Sequence, residues 1–140
     1  EILRPLLAQS GSKPRGTVIL GTVRGDQHDI GKNLEGAMLE GGGFEVADLG
    51  VDVSPERFVA AVEEKQAQII GLSARLTSTL PAMKKVVEAL QEAGVRTRVK
   101  IMVGGAPVTP QYAETIGADA YGANASESVE IAHRLSAEIK

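Results

Sequence analysis

The chain has 140 residues, of which 43% are hydrophobic and 24% charged, with a formal net charge of −3 and no cysteine. This length allows one domain with a hydrophobic core. The negative charge and the scarcity of aromatic residues argue against a nucleic-acid partner. The lack of cysteine excludes disulfides, thiolate metal sites and iron–sulfur clusters. No apolar run reaches membrane-spanning length and no signal-peptide core is present, so we expect a cytoplasmic protein without a membrane partner.

Strand and helix patterns alternate along the chain after residue 15. We interpret residues 1–15 as the end of a preceding helical segment and a linker, and residues 16–140 as one domain. The predicted strands are 16–23, 44–48, 68–73, 99–103 and 118–121, and the predicted helices are 31–40, 55–66, 80–93, 110–116 and 126–139. The strands are Val, Ile and Leu runs without polar alternation, which is typical of parallel strands covered on both faces. The pattern predicts a Rossmann-like, flavodoxin-type α/β fold: a doubly wound five-stranded parallel sheet of order 2-1-3-4-5 with helices on both faces.

The loop after the first strand contains a D-x-H-x-x-G motif, formed by Asp26, His28 and Gly31. A histidine at the carboxyl end of a strand in such a fold faces the ligand crevice. The carboxylate two residues earlier can hold one ring nitrogen so that the other is free to ligate a metal. Zinc requires four ligands, and the chain has only one other histidine. Cobalt in a corrin is already caged by a macrocycle and needs just one axial ligand.

Two further motifs follow at the ends of later strands, namely Gly71-Leu72-Ser73 and Gly104-Gly105. The three motifs, in this order and spacing, resemble the cobalamin-binding domain of methionine synthase, of corrinoid methyl-carrier proteins and of coenzyme-B12 mutases. The resemblance runs from about Gly16 to the end of the chain. It implies a cobamide cofactor whose cobalt takes His28 as its lower axial ligand in the base-off form. Asp26 is then expected to accept the proton-bearing nitrogen of His28.

The resemblance also assigns the rest of the first loop to the cofactor site. Gly31 is expected to leave room for the cofactor tail, and Gln27, Asp29 and Ile30 belong to the same cofactor-binding segment. Asp29 is also typical of a solvated charge at a helix N-terminus. The loop is not a phosphate loop, because five residues rather than four separate its glycines and Asn33 stands where a hydroxyl is needed.

The second motif departs from the family pattern, which is usually Ser-x-Leu. Ser73 is expected to bond the nucleotide tail, but Arg75 replaces the leucine. Arg75 could stack on a base, reach a phosphate or corrin side amide, or face a partner protein. Leu76 and Thr77 follow in the same cofactor-binding segment.

Thr79 and three glycines complete the predicted site. Thr79 matches a methionine synthase serine that bonds the aspartate of the Asp–His pair, or else it caps the helix that begins near Pro81. The missing Cβ atoms of Gly104 and Gly105 are interpreted as clearance for the flat face of a nucleotide base. Gly122, after the last strand, is expected to extend that wall. Lys32, Asn33 and His133 are expected to be surface residues.

The function that these residues imply is that of a corrinoid methyl carrier. Its expected partners are methyltransferase proteins on the methyl-donor and methyl-acceptor sides, together with a reductive activation protein. The chain has no recognisable acid or base aimed at the upper face of the cofactor, so it is not expected to be catalytic alone. The alternatives are a mutase cobalamin-binding domain and a cobalamin-sensing regulatory domain. A receiver domain would need an acceptor aspartate where Ser73 stands.

Overall fold

A computed structural model describes residues 16–28, 30–122 and 124–139. In chain order its elements are β1 (Thr17–Thr22), α1 (Ile30–Gly41), β2 (Glu45–Asp48), α2 (Pro55–Lys65), β3 (Ile69–Ser73), α3 (Leu80–Glu92), β4 (Lys100–Gly104), α4 (Pro110–Ile116), β5 (Ala120–Tyr121) and α5 (Ala125–Ile139). Short 3-10 turns cover Thr77–Thr79 and Arg96–Arg98. Each predicted helix and strand is present, with ends that differ by about two residues at most. The predicted segment 1–15 lies outside the described residues.

The five strands form one parallel sheet in the order β2-β1-β3-β4-β5. This confirms the predicted fold class and strand order. β1 and β3 are neighbours although α1, β2 and α2 separate them in sequence, so their carboxyl ends flank the crevice where the winding changes direction. The loops that carry the three motifs therefore meet at one edge of the sheet.

Helices cover both faces of the sheet, because the side chains of each strand alternate between two cores. Ile19 of β1 belongs to a core that includes Phe58 of α2 and Met83 of α3. Its neighbour Leu20 belongs to the opposite core with Leu39 of α1. The second core also contains Ala132 and Leu135 of α5, so α1 and α5 lie on the same face. None of the described helices combines the length and apolar composition needed to cross a membrane.

Local sequence signals fix several helix ends. The Ser54 hydroxyl accepts a hydrogen bond from the Arg57 amide at 3.2 Å, with Pro55 at the first position of α2. Thr109 caps α4 in the same way through the Tyr112 amide, at 3.0 Å. These hydroxyl and proline pairs set the start of each helix relative to the strand before it.

Candidate functional site

A cleft of about 490 Å³ opens among the loops at the carboxyl edge of the sheet. Its lining includes six of the residues predicted from sequence: His28, Ser73, Arg75, Gly104, Gly105 and Gly122. Ser73 and Gly104 end β3 and β4, and the loops after β1, β3, β4 and β5 supply the other four. The parallel topology thus brings the three motifs to one cavity, as the strand order predicts.

Asp26 is fully buried next to the cleft, and its carboxylate binds two of the loops that form the cleft. One carboxylate oxygen, Oδ1, accepts hydrogen bonds from the His28 amide at 3.1 Å and from His28 Nδ1 at 2.8 Å. The other, Oδ2, accepts from the Arg75 amide at 2.6 Å, the Leu76 amide at 3.1 Å and the Thr79 hydroxyl at 2.8 Å. The carboxylate therefore ties the loop after β1 to the loop after β3.

These contacts determine the charge of Asp26 and the tautomer of His28. Burial alone would raise the pKa of the Asp26 carboxyl, but hydrogen bonds from the Arg75 amide, His28 and Thr79 outweigh it and hold the pKa far below its usual range. An ionised Asp26 can only accept, so His28 Nδ1 carries the proton that it shares with Oδ1. Nε2 is then left with a lone pair. His28 lines the cleft with its side chain half exposed, so this nitrogen is accessible to a ligand.

The Thr79 hydroxyl supports the carboxylate. Its Oγ1 lies 2.8 Å from Asp26 Oδ2 and 2.8 Å from the Leu76 carbonyl, two acceptors that compete for one proton. Within the described residues, Thr79 makes no side-chain capping bond to α3. Thr79 thus occupies the N-cap position of α3, as one alternative expected, but its hydroxyl bonds Asp26 and not the helix.

The fold requires glycine at positions 104 and 105 for a different reason from the one expected. A Cβ on Gly104 would lie 2.9 Å from the carbonyl oxygen of Gly122, and a Cβ on Gly105 would overlap the carbonyl oxygen of Ala74. Gly105 also has a φ of 126°, which side chains rarely adopt. Both glycines line the cleft, but the space of their missing side chains is filled by the chain itself. The prediction that this space is clearance for a cofactor base is wrong.

Other predicted residues are placed less centrally. Gln27, Leu76 and Thr77 are exposed and lie outside the lining of the cleft, as far as the described residues define it. Ile30 and Gly31 begin α1, and nothing is described of their side chains. Asp29 lies outside the described residues.

Lys32 and His133 are less exposed than the sequence predicts. Lys32 is only 3% exposed, and its Nζ lies 2.7 Å from both carboxylate oxygens of Asp48 and from Asn33 Oδ1. His133 is partly buried, with its ring centroid 5.3 Å from that of Phe44. The prediction that these two are surface residues is wrong, whereas Asn33 is exposed as expected.

Sequence reasoning also missed a second wall of the cleft, which α1 and α5 provide. Its residues are Lys32, Glu35, Asn124, Ala125 and Ser128. A signal was available, because positions 32, 35 and 39 follow the helical period and Leu39 is a core residue. That spacing places Lys32 and Glu35 on the inward side of α1, despite their charge.

The donor set fits a metal that arrives inside a cofactor. Among the described residues, no group of three His, Cys, Asp or Glu side chains could hold a metal ion alone. His28 Nε2 can still supply a single axial bond. Beside it, the cleft has room for a tail of the size of a small ligand. A cobamide, which needs one protein nitrogen and a slot for its tail, matches both features.

Comparison with known proteins supports this assignment. A family model described as "B12 binding domain" matches residues 16–130. Dimethylamine corrinoid protein 1 of Methanosarcina acetivorans is 49% identical over 138 residues, which cover 98% of this chain and 65% of that protein. A cobalamin-binding protein from Desulfitobacterium hafniense DCB-2 has a crystal structure that is 40% identical, with a TM-score of 0.87 over 96% of this chain and 66% of that one.

A third relative is found in a complex. The methanol:cobalamin methyltransferase complex of Methanosarcina barkeri contains a chain that is 34% identical, with a TM-score of 0.84 over 93% of this chain and 50% of that one. This chain therefore spans less than two thirds of the length of each of these relatives. The match to the family model covers the sheet and all three motif loops, and the chain belongs to the B12-binding domain family.

Proposed function

We propose that this chain is the corrinoid-binding module of a methyl-transfer system, with His28 as the axial ligand of cobalt. The observation that carries the proposal is the buried Asp26 carboxylate, which fixes the proton of His28 on Nδ1 and leaves Nε2 free. The relatives named above as corrinoid and cobalamin-binding proteins support it. When bound, the cobamide supplies a cobalt centre that accepts and releases methyl groups.

The remaining residues of the cleft hold the cofactor tail. Ser73 ends β3 and can donate a hydrogen bond into the cleft. Arg75 is exposed where the cleft opens, while its own amide is bound to Asp26. This position suits a bond between its guanidinium and the phosphate of a nucleotide tail.

Asp26 and Thr79 hold the His28 ring in the tautomer that cobalt ligation needs. Asp26 Oδ1 accepts from His28 Nδ1 at 2.8 Å. Thr79 donates to the second carboxylate oxygen at 2.8 Å, so the carboxylate keeps its orientation.

Partner proteins would carry out the methyl transfer to and from cobalt and the reduction of cobalt. These are methyltransferases on the donor and acceptor sides and a reductive activation protein, since the chain contains no cysteine for electron transfer. A relative that occurs in a methyltransferase complex supports the first of these. We also propose a cytoplasmic location, and that residues 1–15 end a preceding helical unit.

The test of cobalt ligation uses isotope labelling of histidine in the protein. We expect the Co(II) form of the loaded chain to show superhyperfine coupling to one axial nitrogen in its EPR spectrum. Labelling histidine with ¹⁵N should change each three-line pattern into a two-line pattern, because the nuclear spin changes. His28→Ala should abolish the effect.

The matched control is His133→Ala, which removes the other histidine of the chain. This variant should keep the label-dependent pattern. An unchanged pattern after labelling, or coupling that comes from the cofactor's own base, would overturn His28 ligation.

A separate prediction concerns methyl transfer by the chain alone. The reduced, cobamide-loaded chain should consume methylamines or methanol no faster than free cobamide, because its sequence has no cysteine and no recognisable acid–base motif for activating the donor. Gas chromatography of the remaining donor measures this rate, with the cofactor-free chain as control. Faster consumption would show that the module is itself a methyltransferase.

A further inference from the structure

Glu35 is an unexpected charged residue in the lining of the cleft, where it is partly buried. It lies five residues after the start of α1, or about 7.5 Å further along the helix axis. It lines the same cleft as His28 and makes a side-chain hydrogen bond with Ser128, which belongs to α5. The cleft therefore extends from a metal ligand at its mouth to a carboxyl group between two helices.

Ser128 is the hydrogen-bond partner of Glu35 on the opposite helix. Ser128 is 5% exposed, and its hydroxyl lies 3.1 Å from the Asn124 carbonyl, so this carbonyl and the Glu35 carboxyl compete for its single proton. Burial raises the pKa of the Glu35 carboxyl, against the opposing effects of Ser128 and Lys32. One shared hydroxyl proton cannot satisfy both oxygens of that carboxyl.

Lys32 does not satisfy the remaining oxygen of Glu35. Its ammonium is bound to both oxygens of Asp48 and to Asn33, at 2.7 Å each. Three donors are thereby matched to three acceptors. A side-chain carboxyl oxygen of Glu35 therefore remains as a hydrogen-bond acceptor in the lining of the cleft.

The part of a cobamide that reaches this depth is its tail. A cofactor whose metal is held by His28 has its macrocycle at the mouth, so only the nucleotide tail can enter. The base ends that tail. A base with methyl groups would leave the Glu35 oxygen buried without a donor, which is costly, whereas a hydroxyl or amino group would satisfy it.

We propose that Glu35 is a specificity-determining residue that selects cobamides whose tail base carries a hydrogen-bond donor. The inference rests on the proposed function, since it requires a cobamide tail in the cleft. Ser128 positions the Glu35 carboxyl from the opposite helix, and Gly122 permits this, because a Cβ there would lie 2.7 Å from Ser128 Oγ.

The experiment compares the affinity of three cobamides by isothermal titration, with 5,6-dimethylbenzimidazole, 5-hydroxybenzimidazole or adenine as the tail base. The wild-type chain should bind the hydroxylated and adenine forms about tenfold more tightly than the dimethyl form. Glu35→Leu should remove or reverse this preference. Glu35→Gln keeps an acceptor oxygen and should retain it.

The control is Glu88→Leu, the same change at an exposed position of α3. It should leave all three affinities unchanged. Equal affinity of the wild-type chain for the three cobamides, or an unchanged preference in Glu35→Leu, would overturn the role of Glu35 while leaving cobamide binding intact. Failure to bind any of the three would overturn the proposed function as well.

Discussion

Replacing Asp26 with asparagine is expected to move the His28 proton from Nδ1 to Nε2. The asparagine carbonyl can take the place of Oδ2, which has three donors, and its amide group then faces His28. Nδ1 must become an acceptor, so Nε2 acquires the proton and loses the lone pair needed for cobalt. The His28 amide also loses its acceptor. We expect a loss of about 2–3 kcal/mol in the free energy of unfolding.

Two measurements check this result. ¹⁵N NMR of the cofactor-free protein distinguishes the two tautomers of His28, and urea unfolding gives the free-energy difference. The control is Asp52→Asn, because the exposed Asp52 carboxylate accepts a hydrogen bond from the Gly25 amide at 2.7 Å in the same loop region. Asp52→Asn should leave the tautomer unchanged. An Nδ1 proton retained in Asp26→Asn would contradict the role assigned to the carboxylate.

The pH dependence of the same variant has a defined sign. The pKa of Asp26 is lower in the folded protein than in the unfolded chain, so its ionised form stabilises the fold. The advantage of wild type over Asp26→Asn should be complete near pH 6. It should shrink as the pH falls toward about 4, the usual pKa of an aspartate, and continue to shrink below it.

The second large effect is expected at Gly105. An alanine there must adopt a φ of 126° and displace the carbonyl oxygen of Ala74, whose amide donates to Gly104 at 3.2 Å. We expect Gly105→Ala to lose at least about 4 kcal/mol of stability, an exceptionally large loss, because backbone strain and steric overlap act together. A larger side chain would not simply block the cleft, because the fold itself would be disturbed.

The variant Gly50→Ala separates the cost of the positive φ from the cost of steric overlap. Gly50 has a φ of 94°, but a Cβ there would meet nothing within 4 Å. Its loss should be about 1–2 kcal/mol, the cost of the left-handed backbone alone. Urea unfolding of both variants gives the comparison. Equal losses would show that Ala74 yields easily and that the close approach is unimportant.

The fold could be predicted because its signals are local. Apolar runs locate β1 and β3, and hydroxyl and proline pairs such as Ser54-Pro55 mark helix starts within a few residues. Strand order then follows from the parallel winding rule. His28 could be placed in the crevice for the same reason, since it lies in the loop that follows a predicted strand.

The second wall of the cleft could not be predicted with the same ease. Lysine and glutamate are rarely buried, so the sequence predicts a surface position for Lys32 and no site role for Glu35. Their inward positions depend on partners distant in sequence, Asp48 for Lys32 and Ser128 for Glu35. The paired glycines were found by their pattern, but the approach of Ala74 that requires them is a property of the folded backbone.

The interior position of β1 has a consequence for synthesis of the chain. A ribosome makes this strand before either of its neighbours, and Asp26 leaves the exit tunnel before the donors for Oδ2, which follow 49 to 53 residues later. Ser128 and the α5 wall emerge after these donors. A nascent chain can therefore display its histidine early, but it acquires a complete cofactor cleft only after α5 has been translated.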